Sequence, residues 1–233
     1  MPLDSSSLID PKLVVLTAPR SSAAEQYRAL RTNLEFLSIS GPLVKVMVTS
    51  GTPGAGKSLT SSNLAISLAQ GGKNTLLVDA DLRRPMIHHL FGNGNLSGLT
   101  TALTHPEEWH KYVVRGPIGG LSIMTSGPIP PNPSEMMSSP VMAELLDQLG
   151  QAYDVVILDT PPVVSFTDAV ALSQTMDGVI LVIRAGHTSR KIDLKGKERL
   201  TQVNARILGV VLNDVEMSDE DYSYYYGYGD RKS

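Results

Sequence analysis

One short glycine-rich stretch constrains this chain more than any other feature. Residues 51–58 read Gly-Thr-Pro-Gly-Ala-Gly-Lys-Ser and match G-x-x-x-x-G-K-[ST], directly after an apolar run and directly before a helical pattern. Glycines let backbone N–H groups converge on a phosphate, and a helix N-terminus adds the positive end of its dipole. The alternative is an ordinary glycine-rich turn, but such a turn requires neither the preceding apolar run nor the following helical pattern. The pattern predicts a P-loop, in which Lys57 reaches the β- and γ-phosphates and the Ser58 hydroxyl binds Mg²⁺.

The rest of the chain alternates between two kinds of segment. Apolar runs rich in Val, Ile and Leu recur at 44–48, 75–78, 121–124, 155–158, 179–183 and 207–212. Such near-continuous runs are typical of parallel strands covered on both faces. Helical patterns lie between them at 58–70, where Gly71-Gly72 ends the helix, and at 141–149 and 191–203. The 233 residues suit one α/β domain, and we predict a P-loop NTPase with a doubly wound, mostly parallel sheet flanked by helices.

Carboxylates follow two of the predicted strands. Asp159 ends the run Val155–Leu158, which is the Walker B form, and is expected to hold the Mg²⁺ shell through water. Asp79 and Asp81 end another run, and at i and i+2 on an extended chain both can face one site. One could steady Mg²⁺ while the other accepts a proton from a hydroxyl. The alternative is that Asp81 caps a turn and that Arg83 and Arg84 are solvated.

Composition excludes several other chemistries. The chain has no cysteine, which rules out disulfides, thiolate metal sites and a thiol nucleophile. A net charge of −3 gives no overall drive to bind nucleic acid. No signal peptide and no bilayer-spanning run is visible, so a cytoplasmic location is expected. A guanine-binding N-K-x-D pattern is absent, which favours ATP over GTP.

Two segments differ from the alternating body. Residues 21–39 have a helical pattern, and residues 214–233 are acidic and then rich in Tyr and Gly, without a packing period. We therefore divide the chain into an N-terminal extension (1–20), a P-loop domain (21–213) and a flexible tail (214–233). The tail tyrosines, which are either phosphoryl acceptors or part of a sticky, stacking tail, are Tyr222, Tyr224, Tyr225, Tyr226 and Tyr228.

These features in this order resemble the bacterial tyrosine kinases (BY-kinases). The resemblance rests on SGTPGAGKS, LLVDADLRRP, VVILDTPP, an N-terminal E-x-x-R-x-x-R and the C-terminal Tyr cluster, and it extends from about residue 21 to about residue 229. It is strongest to the cytoplasmic kinase subunits of capsule and exopolysaccharide systems in Gram-positive bacteria. Septum-placement and partition ATPases resemble the chain less, because they carry a further Lys near the start of the P-loop that residues 51–54 lack.

The resemblance implies a role for each matching residue. Lys57, Asp79 and Asp81 are implied to be catalytic, with Asp81 as the general base, and Ser58, Asp79 and Asp159 to serve Mg²⁺. Asn213 is implied to contact adenine. The residues expected to bind ATP are Gly51, Thr52, Pro53, Gly54, Ala55, Gly56, Lys57, Ser58, Leu59 and Asn213.

The resemblance also implies an assembly. Glu25, Arg28 and Arg31 resemble the motif that joins subunits into a ring, in which each tail reaches the next active site; a salt-bridged helix face is the alternative. The implied partners are a transmembrane activator that recruits the kinase to the inner face of the membrane, a tyrosine phosphatase and protein-tyrosine substrates. Nucleic acid is not expected.

The sequence leaves two other function classes open and contains two weaker features. A P-loop switch ATPase of the partition or septum-placement type, and a non-catalytic nucleotide-binding scaffold, are the alternatives to a kinase. His88-His89 is interpreted as a surface pair. Basic residues between 184 and 199 are interpreted as a solvated helix face, rather than a lipid or nucleic-acid surface, because no aromatic residues interleave them. They are Arg184, His187, Arg190, Lys191, Lys195, Lys197 and Arg199.

Overall fold

A seven-stranded sheet forms the centre of the molecule in the computed structural model, which describes residues 9–39 and 41–215. The strands are β1 (Lys45–Ser50), β2 (Thr75–Asp79), β3 (Val114–Arg115), β4 (Leu121–Met124), β5 (Val155–Asp159), β6 (Gly178–Arg184) and β7 (Ile207–Asn213). Their order is β3-β4-β2-β5-β1-β6-β7, and every neighbouring pair is parallel except β3 with β4. The predicted fold class is confirmed, although the short antiparallel edge strand β3 was not anticipated.

Helices cover both faces of the sheet. They are α1 (Val14–Thr17), α2 (Ser22–Ser38), α3 (Lys57–Gln70), α4 (Ile87–Leu90), α5 (Leu99–Thr104), α6 (Pro133–Met137), α7 (Pro140–Ala152), α8 (Asp168–Leu172) and α9 (Arg190–Gln202), with 3-10 helices at Pro106–Tyr112 and Ser173–Thr175. Local chemistry explains where the longer ones begin. Ser21 caps α2 by accepting from the Ala24 amide, and Ser139 caps α7 in the same way ahead of Pro140. None of the helices within the described part of the chain is long and apolar enough to span a bilayer.

The strands alternate their side chains between two hydrophobic cores. In β1, Val46 and Val48 join the core beneath α2 and α3, whereas Met47 joins the core beneath α5 and α7. All three are at most 1% exposed. A strand buried on both faces needs apolar residues at every position, which is why these segments read as continuous runs rather than alternating ones.

The predicted N-terminal extension contributes to the domain core where the structure describes it. Leu13 and Val15 are fully buried. The Asn63 side chain of α3 accepts from the Val15 amide at 3.1 Å and donates to the Lys12 carbonyl at 3.1 Å. Residues 9–20 therefore pack against α3 as part of the same domain. The predicted boundary at residue 21 does not coincide with a boundary between two packing units.

The direction of the strand connections reverses beside β1. The chain leaves β1 through α3 towards β2 on one side of the sheet, and it leaves β6 through α9 towards β7 on the other side. In an open parallel sheet, ligands bind at such a reversal, outside the carboxyl ends of the strands. The loop at 51–56 lies at this point.

Candidate active site

The glycine-rich loop has the backbone shape that its sequence predicts. It begins after Ser50, whose hydroxyl donates to the Thr52 carbonyl at 2.7 Å. Gly54 and Gly56 have positive φ angles of 76° and 89°, and α3 begins at the next residue, Lys57. Left-handed backbone is tolerated by glycine at little cost, so these two positions turn the amides of the loop towards the helix N-terminus.

Asn213 closes the other side of the loop. Its side-chain nitrogen donates to the Ala55 carbonyl at 3.0 Å. A Cβ added to Gly56 would lie 2.0 Å from that nitrogen, so the loop and the end of β7 are in direct contact. The structure thus brings Asn213 to the P-loop, 157 residues away in sequence from Gly56.

Three strand-end carboxylates surround Lys57. Its ammonium nitrogen lies 2.8 Å from Asp81 Oδ2 and 3.8 Å from Asp159 Oδ1, and it lies 3.4 Å from the Ser58 hydroxyl. Asp79 and Asp159 occupy facing positions on the neighbouring strands β2 and β5. The Lys57 side chain is 10% exposed, and those of Asp81 and Asp159 are 4% and 0% exposed. The structure thus brings Lys57, Ser58, Asp81 and Asp159 together, and their catalytic and metal-binding roles remain predictions.

Asp79 and Asp81 differ in the partners of their carboxylate oxygens. Asp79 Oδ2 accepts from the amides of Met86 and Ile87 at 3.0 and 2.9 Å. Asp81 Oδ1 accepts from the amides of Arg83 and Arg84 at 3.3 and 3.1 Å, while its other oxygen pairs with Lys57. Asp81 thus caps a turn and faces the P-loop lysine at the same time, although the two roles were posed as alternatives.

Asp159 has the least complete surroundings of the three. Both of its carboxylate oxygens are buried, and within the described residues neither has a hydrogen-bond partner closer than the Lys57 ammonium, which lies 3.8 Å from Oδ1. Burial raises its pKa to about 6, against the lowering effects of Lys57 and the Ser58 hydroxyl, which are the neighbouring donors. Burial together with the negative charge of Asp159 raises the pKa of Asp79 to about 8. Burial opposes the charge on Lys57, but Asp159 and Asp81 outweigh it and hold the pKa of Lys57 above its ordinary value.

The charges in this cluster do not balance. Three carboxylates lie near one ammonium, which leaves two negative charges in excess when all are ionised. Burial is the main cause of the raised pKa values of Asp79 and Asp159, and repulsion between the carboxylates adds to it. Asp159, with two orphaned oxygens, suits a hydrated divalent cation. Within residues 9–39 and 41–215, no three His, Asp or Glu side chains form a metal cage by themselves. Because Mg²⁺ keeps several waters and binds through one or two carboxylates plus phosphates, these residues fit Mg²⁺ bound with a nucleotide.

A second polar cluster beside this one was missed from the sequence. Asp168 Oδ2 accepts from Arg83 Nε at 3.0 Å and Nη2 at 2.9 Å, and its Oδ1 accepts from the Ser134 hydroxyl at 2.6 Å. The Arg83 guanidinium lies 4.2 Å from the centre of the Phe166 ring. The interpretation of Arg83 as a solvated side chain is therefore wrong: its guanidinium is held by Asp168, Ser134 and the Phe166 ring, although the side chain remains 28% exposed. The sequence does show that Arg83 lies two residues after Asp81. No sequence pattern, however, links Arg83 to Asp168, which follows 85 residues later.

The predicted subunit-joining motif makes contacts within its own chain. On α2, Arg28 pairs with Glu25 at 2.5 Å and also donates to the Pro19 carbonyl. Arg31 donates to the Ser67 carbonyl of α3 at 2.9 Å. Both arginines thus have intramolecular partners, and the part of this motif in assembly remains a prediction. The predicted acceptor tyrosines at 222–228 lie outside the described residues.

Comparisons with known proteins identify the family of this chain. The model of the ParA family, described as "NUBPL iron-transfer P-loop NTPase", matches residues 43–225. Tyrosine-protein kinase YwqD of Bacillus subtilis (strain 168) is 42% identical over 221 residues, which are 95% of this chain and 93% of the relative. The crystal structure of the chimerical protein CapA2B2 is 38% identical with a TM-score of 0.85, and the match covers 89% of this chain and 92% of that one.

Similarity to the positioning ATPases is weaker. The septum site-determining protein MinD from Pyrococcus horikoshii, solved with Mg-ADP, is 20% identical with a TM-score of 0.63, over 78% of this chain and 76% of that one. At this identity the likeness shows the fold alone. The absence of cysteine also excludes thiolate ligation of iron by this chain. The chain therefore belongs to the bacterial tyrosine-protein kinases, a branch of the ParA-type P-loop NTPases.

Proposed function

We propose that this kinase uses ATP and Mg²⁺ to phosphorylate tyrosines in its own C-terminal tail. The observation that carries the proposal is the buried cluster in which Lys57 is 2.8 Å from Asp81 and 3.8 Å from an Asp159 whose oxygens lack hydrogen-bond partners. Its excess negative charge suits a bound cation, and the adjoining glycine loop suits a phosphate chain.

Each residue of the site has a proposed role. The amides of residues 51–58 and the Lys57 ammonium bind the β- and γ-phosphates, and Asn213, already at the loop, contacts the base. Ser58, Asp79 and Asp159 would hold Mg²⁺, whose charge offsets that of the phosphates when it is bound. Asp81 accepts the proton of the incoming phenol, as the family resemblance implies. It is the carboxylate nearest to the Lys57 ammonium, at 2.8 Å against 3.8 Å for Asp159.

Assembly and context follow from the family resemblance. The proposed arrangement is a homo-oligomeric ring joined through Glu25, Arg28 and Arg31, in which the tail of one copy is phosphorylated by the next. A transmembrane activator would recruit the kinase to the inner face of the membrane, and a tyrosine phosphatase would reverse the modification. The process served is the synthesis and export of capsular polysaccharide or exopolysaccharide.

Mixing two variants tests both the chemistry and its direction between copies. One variant carries Lys57→Met with the tail intact, and the other lacks residues 214–233 but keeps Lys57. After incubation with ATP, Mg²⁺ and the cytoplasmic peptide of the activator, mass spectrometry should find phosphotyrosine among residues 222–228 of the first variant. Neither variant alone should give it.

Asp81→Asn in the tail-less partner provides the control for the proposed base. It should still bind nucleotide but lose transfer to the Lys57→Met tail. Wild-type levels of tail phosphorylation with both Lys57→Met and Asp81→Asn present would refute the assignment of the site.

A further inference from the structure

Helix α9 carries a set of cations that the domain itself does not neutralise. Arg190, Lys191, Lys195 and Lys197 are all exposed, and among residues 9–39 and 41–215 no carboxylate forms an ion pair with any of them. Glu198 is the one acid on the exposed side of the helix. We call these four cations the basic face. It lies on a chain whose overall charge is −3.

The positions of these cations lower the stability of helix α9. Lys191 and Lys195 are four residues apart, so their like charges repel along the helix surface. Arg190 and Lys191 are in the first turn, where the helix dipole disfavours cations. Each effect is worth a few tenths of a kcal/mol. An anionic partner on this face would relieve both.

The chain itself brings acidic residues to this helix. Strand β7 ends beside β6, and Asp214, the first residue after β7, pairs with Arg184 at 2.8 Å. Helix α9 begins six residues after Arg184. The part of the chain that follows Val215 therefore starts near the first turn of α9.

We propose that residues 216–221 of the same chain dock along the basic face of α9. This segment contains Glu216, Asp219, Glu220 and Asp221 and no basic residue. Its six residues span about 20 Å when extended. The 13 residues of α9 are about 20 Å long. Charge and length both match, and the short tether raises the local concentration of the segment to roughly millimolar.

Docking sets where the first tail tyrosine is held. Helix α9 runs from the carboxyl edge of the sheet, where Lys57 lies, towards the opposite edge, where β7 begins. Tyr222, directly after the docked segment, would thus be kept away from the nucleotide site of its own copy. Exchange to another copy requires undocking. The proposal does not depend on phosphoryl transfer, so its test needs no nucleotide.

Disulfide mapping tests the docking directly, because the chain has no cysteine of its own. The full chain with Lys195→Cys and Glu220→Cys is oxidised at low protein concentration, and intrachain disulfide is measured by mass spectrometry. The matched control carries Lys73→Cys with Glu220→Cys. Lys73 is an exposed lysine before β2, which is four strands from β7, so both pairs lose the same charges.

The expected yield for the Lys195 pair is at least about five-fold that of the Lys73 pair, and it should fall towards the control as salt is raised from about 0.05 M to about 0.5 M. Adding Lys191→Glu to the Lys195 pair should lower the yield as well. Equal yields for the two pairs, or a yield that salt does not change, would overturn the proposal. Disulfides formed mainly between copies would also overturn it, and would assign the basic face to the tail of another copy.

Discussion

Two ion pairs involve buried carboxylates that follow strands of the sheet, and they differ in how many of their carboxylate oxygens have hydrogen-bond partners. Asp168 has a partner on each oxygen, through Arg83 and Ser134, and one cation faces one carboxylate. Around Lys57, three carboxylates share one ammonium, and both oxygens of Asp159 are orphaned. An ion pair whose polar atoms all have partners stabilises one conformation of the chain. A cluster with excess charge and carboxylate oxygens that lack partners can instead bind a charged ligand. The difference separates the structural pair from the functional cluster.

Replacing Lys57 should have the largest effect. Lys57→Met removes the ammonium that is proposed to bind the phosphates, and loss of a charge that stabilises a transition state costs on the order of 10³-fold in rate. The measurement is the initial rate of tail phosphorylation with the activator peptide present. Lys73→Met, at an exposed lysine distant from the site, should leave the rate unchanged. If the rate of tail phosphorylation fell to a similar extent in the two variants, Lys57 would contribute no more to the reaction than an exposed surface lysine.

Breaking the complete pair should instead affect folding. Arg83→Met leaves the Asp168 carboxylate, whose side chain is 2% exposed, without its cation. Truncating one partner of a buried pair costs about 3 kcal/mol of unfolding free energy. Urea denaturation of the nucleotide-free protein measures this. A loss below about 0.5 kcal/mol would show that this pair behaves like an exposed surface pair.

The pH dependence of stability should report the incomplete cluster. The pKa of Asp79 is raised from 3.8 to about 8, so the folded state holds a proton that the unfolded state has lost. The resulting stability is fully present below pH 3.8 and disappears as pH rises through 8. We expect the unfolding free energy of the nucleotide-free protein to fall by on the order of 1 kcal/mol between about pH 6 and pH 9. Asp79→Asn should flatten the curve, and an equally steep curve in that variant would assign the effect elsewhere.

The smallest expected effect is that of Asp159→Asn on the nucleotide-free protein. Asp159 is fully buried, and among the described residues its only ion pair is a long one, at 3.8 Å from Lys57. Removing its charge should therefore leave the unfolding free energy unchanged or raise it by up to about 1 kcal/mol. The same variant should lose the increase in melting temperature that Mg²⁺ and ADP give the wild type. Differential scanning fluorimetry with and without Mg-ADP measures both. A marked loss of stability without nucleotide would mean that Asp159 is satisfied in the folded chain.

The sequence predicted the central part of this site because its signals are local. Residues 51–58 form the loop after β1 and the first residues of α3, and Asp79, Asp81 and Asp159 follow apolar runs that were predicted to be strands. The structure places those two strands, β2 and β5, side by side. Even Asn213 was expected, from the family resemblance. In each case the strand ends of a parallel sheet bring the side chains to one edge.

Contacts between distant polar residues could not be predicted in that way. Arg83 was assigned to solvent under one interpretation, because nothing near it in sequence indicates Asp168 or the Phe166 ring. The family resemblance implies a subunit-joining role for Arg31, which remains a prediction, but the hydrogen bond from its guanidinium to the Ser67 carbonyl within the same chain was not predicted. The buried segment at 13–15 was assigned to an extension, because a helix of four residues has too short a period to detect. These contacts depend on packing between elements, which sequence periodicity does not encode.

A crystal structure of the full chain with Mg²⁺ and a non-hydrolysable ATP analogue tests most directly whether the incomplete cluster is completed by its ligand. We expect the phosphates over residues 51–58, the Lys57 ammonium in contact with them, and Asp159 joined to the metal through water. A nucleotide bound elsewhere, or bound at the loop while both Asp159 oxygens stay without a partner, would contradict this assignment.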